Sequence, residues 1–193
     1  MSIYTSVEYG LVKTLYGRSV AKRSLKPMID HIDEGLTILE LIEAKPRTRK
    51  AWCLHPLVQS DAALHDYYNG WNADVASDVL LLALEYRYRA NSWLSDKVFI
   101  NTITNSCDSI GKPEWSLLAT KKMLIADKVQ NYKDFLTYHY ATHPRSRELN
   151  YYFLTWLEKL EVSQARFKEL CEAIDKRVYF NRQGGDDVSQ DFE

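Results

Sequence analysis

Apolar residues recur every three or four positions along most of this chain, the spacing that lines up one face of an α-helix. Val7, Leu11, Val12 and Leu15 keep that spacing in residues 5–16. Ile29, Ile32, Leu36, Leu39 and Ile42 keep it in residues 27–43, where Pro27 suits a first turn and Ala44-Lys45-Pro46 ends the helix. The basic stretch from Arg18 to Lys26 between these two segments reads as a bend. A third helix over 47–59 is interrupted by Pro56. A short one from Asp61 to Tyr68 stops near Asn69-Gly70, and a long one over 74–95 carries Val75, Val79, Leu82, Tyr86 and Trp93. Residues 100–114 read as a loop or broken helix. Residues 115–143 read as helical, in one or two pieces. Helices over 146–160 and 163–178 close the chain, the last with Ser163 as its N-cap. The pattern predicts an all-α single domain over 1–180 with two extra C-terminal helices, and a disordered tail over 181–193.

Composition agrees with a packed helical domain. Hydrophobic residues make up 46% of the 193, enough for a core, and only 7 Gly and 5 Pro are present, too few for a turn-rich β architecture. The net charge of -1 provides no global field for nucleic acid, although local basic clusters remain able to hold phosphate. Cys53, Cys107 and Cys171 form no C-x-x-C pair, which disfavours a zinc knuckle or a disulfide framework. The start Met1-Ser2-Ile3-Tyr4 has no signal-peptide pattern, and no apolar run is long enough to span a bilayer, so the expected location is cytoplasmic.

Three segments carry the candidate chemistry: Ser24-Leu25-Lys26-Pro27-Met28-Ile29-Asp30-His31, Ala51-Trp52-Cys53-Leu54-His55-Pro56, and Leu124-Ile125-Ala126-Asp127-Lys128-Val129-Gln130-Asn131. Each puts a potential ligand on a separate helix. Two imidazoles and a carboxylate suit manganese, iron or zinc, and such an ion polarises a phosphoryl oxygen and acidifies bound water. Asp127 and Asn131 are one turn apart and share a face.

In this order and phrasing the segments resemble the HD superfamily of metal-dependent phosphohydrolases, most closely the hydrolase domain of bifunctional alarmone (ppGpp) synthetase/hydrolases. Ser24, Pro27, Ile29 and His31 match the first family motif. Ala51, Leu54 and His55 match the second. Ala126, Asp127 and Asn131 match the third, with Lys128 for an arginine. The resemblance covers roughly residues 8–137. It implies an HD-type fold, a divalent metal (manganese first, iron or zinc next) on His31, His55 and Asp127, and a nucleotide or other phosphorylated substrate. That substrate would be bound by Asn131 and by Lys22 or Arg23.

Several positions depart from the family. Pro56 replaces the aspartate that follows the second histidine, and Gln59-Ser60 replaces an acidic pair, with Asp61 one position late. Substitute carboxylates are available in Asp61, Glu85 and Asp66, the last within a literal His65-Asp66 dipeptide. Glu85 is a candidate catalytic carboxylate and Arg87 or Arg89 a candidate phosphate ligand. The alternative for Glu85 and Arg89 is an ordinary surface pair four residues apart. His139, His143, Arg145 and Arg147 form a second basic group, better suited to helix capping or solvation than to catalysis.

Three functions remain open from the sequence. One is a metal-dependent nucleotide phosphohydrolase, with Gln59, Asp61 and Glu85 around the nucleophile. Another is a degenerate HD-type domain that binds a nucleotide or a protein without hydrolysis. The last is a helical scaffold with incidental histidines. Aromatic residues of 146–160 also leave homo-oligomer formation open.

Overall fold

A computed structural model of the chain describes residues 2–22, 24–70, 74–92 and 117–183; within these, the side chains of 91–92 and 178–183 are not described. The described residues form eight α-helices and no strand. They are α1 (Val7–Tyr16), α2 (Ile29–Leu41), α3 (Pro46–Val58), α4 (Asp61–Gly70), α5 (Ser77–Ser92), α6 (Leu118–Tyr138), α7 (Ser146–Lys159) and α8 (Gln164–Gln183). A 3-10 turn, Ile3–Thr5, precedes α1. None of these helices is long and apolar enough to cross a membrane.

Caps account for several boundaries. The Ser6 hydroxyl accepts the Tyr9 N–H at the start of α1, and the Ser163 hydroxyl accepts the Arg166 N–H at the start of α8, as the sequence leads one to expect. Pro46 opens α3 at a position where its missing N–H has no partner to lose. Gly17, at φ 51°, ends α1 in a conformation that favours glycine. The loop that follows pairs Val20 with Pro27, so Pro27 lies outside α2 instead of in its first turn. The final helix extends to Gln183, so residues 181–183 are helical and not part of a tail. Residues 100–114 and 184–193, read from the sequence as a loop or broken helix and as most of the tail, lie outside the described residues.

Helix α3 is the axis of the packing. It touches α1, α2, α4, α5 and α6, while α2 also packs on α6 and α8. Ala51, Trp52, Cys53 and Leu54 are consecutive and all fully buried, as in a helix covered on every side. Pro56 does not break α3, which continues to Val58. It sits in the last turn, where only one interior hydrogen bond is forfeited, the one its N–H would have given to the Trp52 carbonyl.

Gly35 lets α2 and α3 approach. A Cβ there would lie 2.6 Å from the Trp52 indole nitrogen and nearer still to two ring carbons. The indole N–H donates to the Ile32 carbonyl of α2 over 3.0 Å, tying the two helices together beneath the histidines.

Candidate functional site

The three sequence segments meet at one cleft of about 630 Å³. His31 reaches it from α2, His55 from α3, and Asp127 and Asn131 from α6. Gln59, just past the end of α3, lines it too. The loop before α2 adds Ser24 and Lys26, and Tyr86, Tyr152 and Phe153 form aromatic walls.

Both histidine rings are held through Nδ1. His55 Nδ1 lies 2.6 Å from the Trp52 carbonyl oxygen. A carbonyl only accepts, so this nitrogen carries the proton. The carbonyl is the one that Pro56 deprives of its helical partner, so the imidazole serves the acceptor left over by the proline. His31 Nδ1 lies 2.7 Å from the Gln130 side-chain oxygen. The Gln130 amide is oriented by two carboxylates: its nitrogen donates to Glu34 over 3.2 Å and to Asp134 over 2.8 Å. Its oxygen therefore accepts from His31. Lys26 completes this network with ion pairs of 2.7 Å to Glu34 and 3.0 Å to Asp134.

The two rings stand 5.5 Å apart, edge to face, with Trp52 4.4 Å from His55 and 5.1 Å from His31. When neutral, each has Nε2 as a bare lone pair, the tautomeric preparation that a metal-bound histidine requires. Burial, reinforced by the neighbouring His31, pushes His55 down to about 3, so its ring is neutral at physiological pH.

Asp127 is buried and both of its oxygens are engaged. Oδ2 is 2.7 Å from the Lys128 ammonium, and Oδ1 accepts from Asn131 over 2.7 Å. Burial acts to raise the carboxyl and to lower the ammonium. Their mutual attraction outweighs it in both, with Asp127 held below its ordinary value and Lys128 above. The Tyr86 phenol, raised well above its usual range by burial and then by Asp127, stays protonated as a further donor to that carboxylate.

These residues do not fit a metal as they are placed. Two imidazoles are prepared, but Asp127 is already paired with an internal cation. Among the described residues, no group of three or more His, Cys, Asp or Glu is gathered so as to hold an ion.

The other candidates lie elsewhere. Asp61 is fully exposed at the start of α4 and pairs with Arg87. The Arg87 Nε donates to the Gln59 backbone carbonyl over 3.3 Å. Glu85 accepts from Thr120 over 2.9 Å, and the Arg89 guanidinium lies over the Tyr88 ring. The reason is helical phase. Tyr86 and Ala90, four residues apart, turn the cleft-facing side of α5 inward, and Glu85, Arg87 and Arg89 fall roughly 80–120° to either side of it. His65 and Asp66 are exposed neighbours on α4, and neither lines the cleft. Asp61, Glu85 and Asp66 are therefore not substitute carboxylates of this cleft. Lys22 is exposed and not part of its wall, and Arg23 lies outside the described residues.

Sequence reasoning missed Lys26, Gln130, Asp134 and Tyr86. A signal for two of them, Gln130 and Asp134, was present. Asp127, Gln130, Asn131 and Asp134 keep a three-four spacing along α6, a polar stripe in a helix whose remaining faces are largely apolar.

One consequence is a pH dependence. The unfolded chain protonates His55 near 6.5 and the folded chain only near 3, so the unfolded state binds the extra proton in between. The contribution is complete above pH 6.5 and is lost as pH falls toward 3. Wild-type stability should drop between pH 7 and about pH 4.5 by a few kcal/mol more than that of His55→Asn, which keeps a donor near the Nδ1 position. Denaturant titrations at several pH values measure this; equal slopes would show that His55 is not held neutral.

No protein-family model matches the chain, and comparisons with curated proteins and with solved structures find no match.

Proposed function

We propose that the cleft binds a nucleotide or a related phosphorylated small molecule without metal-assisted hydrolysis, as a degenerate relative of the HD-type hydrolases that the motifs resemble. The observation carrying this reading is that His31, His55, Asp127 and Asn131 line one cleft while Asp127 is neutralised by Lys128. Aromatic walls suit a heterocycle, the Asn131 amide suits a phosphate oxygen, and the imidazoles accept hydrogen bonds from ring amino groups.

Charge narrows the ligand. The lining holds Lys26 and Lys128 against Asp30, Asp127 and Asp134, one more carboxylate than ammonium, and Lys26 is already committed to Glu34 and Asp134. A polyphosphate meets net repulsion there, and a monophosphate much less. Calorimetric titration with purine mononucleotides tests the reading. The expected results are saturable binding weakened roughly tenfold by Asn131→Ala, about 1.4 kcal/mol, and no phosphate release. Absence of binding by any purine or pyrimidine nucleotide overturns it.

A second reading, metal-dependent hydrolysis, is favoured by one feature, the pair of histidines protonated on Nδ1. It requires phosphate release that depends on manganese and disappears in His31→Ala.

A further inference from the structure

We infer that His31 and His55 together read an amino group: their Nε2 atoms accept the two hydrogens of one exocyclic amino nitrogen, so the cleft selects nucleotides whose base carries such a group. The inference deepens the nucleotide-binding reading above and rests on it. His31 Nδ1 is spent on Gln130 and His55 Nδ1 on the Trp52 carbonyl, so in the neutral rings each Nε2 is an acceptor. Neither Nε2 has a hydrogen-bond partner among the described residues, and neither is sealed from solvent, although His55 as a whole is only 5% exposed. Both acceptors are therefore reachable, and the space that the two rings line is the cleft.

The groups packed around these rings bring no competing donor. The Trp52 indole, in contact with both, gives its N–H to the Ile32 carbonyl. The Gln130 amide nitrogen donates to Glu34 and to Asp134. The Tyr86 phenol, its ring centre 5.0 Å from that of His55, and the Lys128 ammonium are both turned to Asp127. Asn131 gives one amide hydrogen to Asp127, and its other is the donor already assigned to phosphate.

Two acceptors side by side oppose an oxo oxygen, which would set lone pair against lone pair and leave both imidazoles unpaired. Hypoxanthine offers one ring N–H beside an oxo oxygen, which satisfies one imidazole and opposes the other. A planar amino nitrogen carries two hydrogens, and with bonds of about 3 Å it bridges acceptors roughly 5 Å apart. The centres of the two imidazoles are 5.5 Å apart, a separation on that scale.

The full-length protein is titrated calorimetrically at about pH 8, where an ordinary histidine is neutral. The probes are two pairs of nucleoside monophosphates, each differing by one amino group: AMP against purine ribonucleotide, which has hydrogen in its place, and GMP against IMP. In at least one pair, loss of the amino group should weaken binding about tenfold or more. His31→Asn and His55→Asn each keep a donor near the Nδ1 position and lack Nε2. In them the preference should shrink to about threefold or less.

Nucleotides that bind with no dependence on the amino group in either pair, or a preference that survives intact in both variants, overturn the inference and leave the nucleotide reading standing. Absence of binding by every nucleotide overturns both. Where a variant does not fold, nitrogen NMR of the wild type takes its place. The Nε2 signals of His31 and His55 should move more with the amino-bearing partner of a pair than with the amino-free one at equal saturation, and equal movement counts against the inference.

Discussion

Gly35→Ala should cost this protein more stability than alanine at any other described glycine, and chemical denaturation should show a loss above about 3 kcal/mol or no cooperative transition at all. The added carbon would overlap the Trp52 ring. Trp52 is fully buried, its N–H is tied to the Ile32 carbonyl, and its faces pack on His31 and His55, so the indole has no open side to move toward. Overpacking of this kind typically costs about 1–3 kcal/mol where neighbours yield. Here the neighbour is a large rigid ring at the centre of the fold, and total stability for a domain is only about 5–15 kcal/mol. The same change should also disturb the cleft, because the indole sets the positions of both imidazoles. A fully stable Gly35→Ala protein would mean that α2 and α3 do not approach as described.

The second large effect is expected at the buried ion pair. Asp127→Ala leaves the Lys128 ammonium buried without its carboxylate, and breaking such a pair from one side typically costs about 3–5 kcal/mol. The double variant Asp127→Ala/Lys128→Met should recover part of that loss, since no charge is then left unpaired. Thermal or denaturant unfolding of the two single variants and the double measures the coupling. Additive losses would mean that the two side chains do not interact. Acid should act in the same direction. Asp127 is held below its ordinary value of 3.8, so its contribution is complete above that pH and is lost as pH falls below it. The acid limb of Asp127→Asn should therefore be shallower than that of the wild type.

Helices were readable wherever one face was apolar. Residues 5–16, 27–43, 61–68 and 146–160 each contain or nearly match an observed helix, because periodicity reports which side must be covered. Pro27 and Pro56 were harder to place. A proline excludes one hydrogen bond but does not say whether the chain turns away or continues, and only the pairing of Val20 with Pro27 and the packing of α3 settle each case. Asp61 and Glu85 were attractive as carboxylates close in sequence to His55 or on a central helix. Neither faces the cleft, since facing is set by rotation about the helix axis and by which neighbours cover which side.

What the amino-acid order determined by itself was the helical class, the rough limits of most helices, and the residue types at His31, His55, Asp127 and Asn131. These are local properties of spacing and composition. What only the tertiary structure decided was the state of those residues. Lys128 follows Asp127 in the chain, and adjacent residues on a helix need not pair. Burial under Trp156 and Tyr152 is what turns that neighbour into a counter-ion. Gln130 fixes the His31 tautomer from another helix, across a distance in sequence that no periodicity reports, whereas the Trp52 carbonyl that holds His55 is local, three residues back on the same helix at the acceptor Pro56 leaves open.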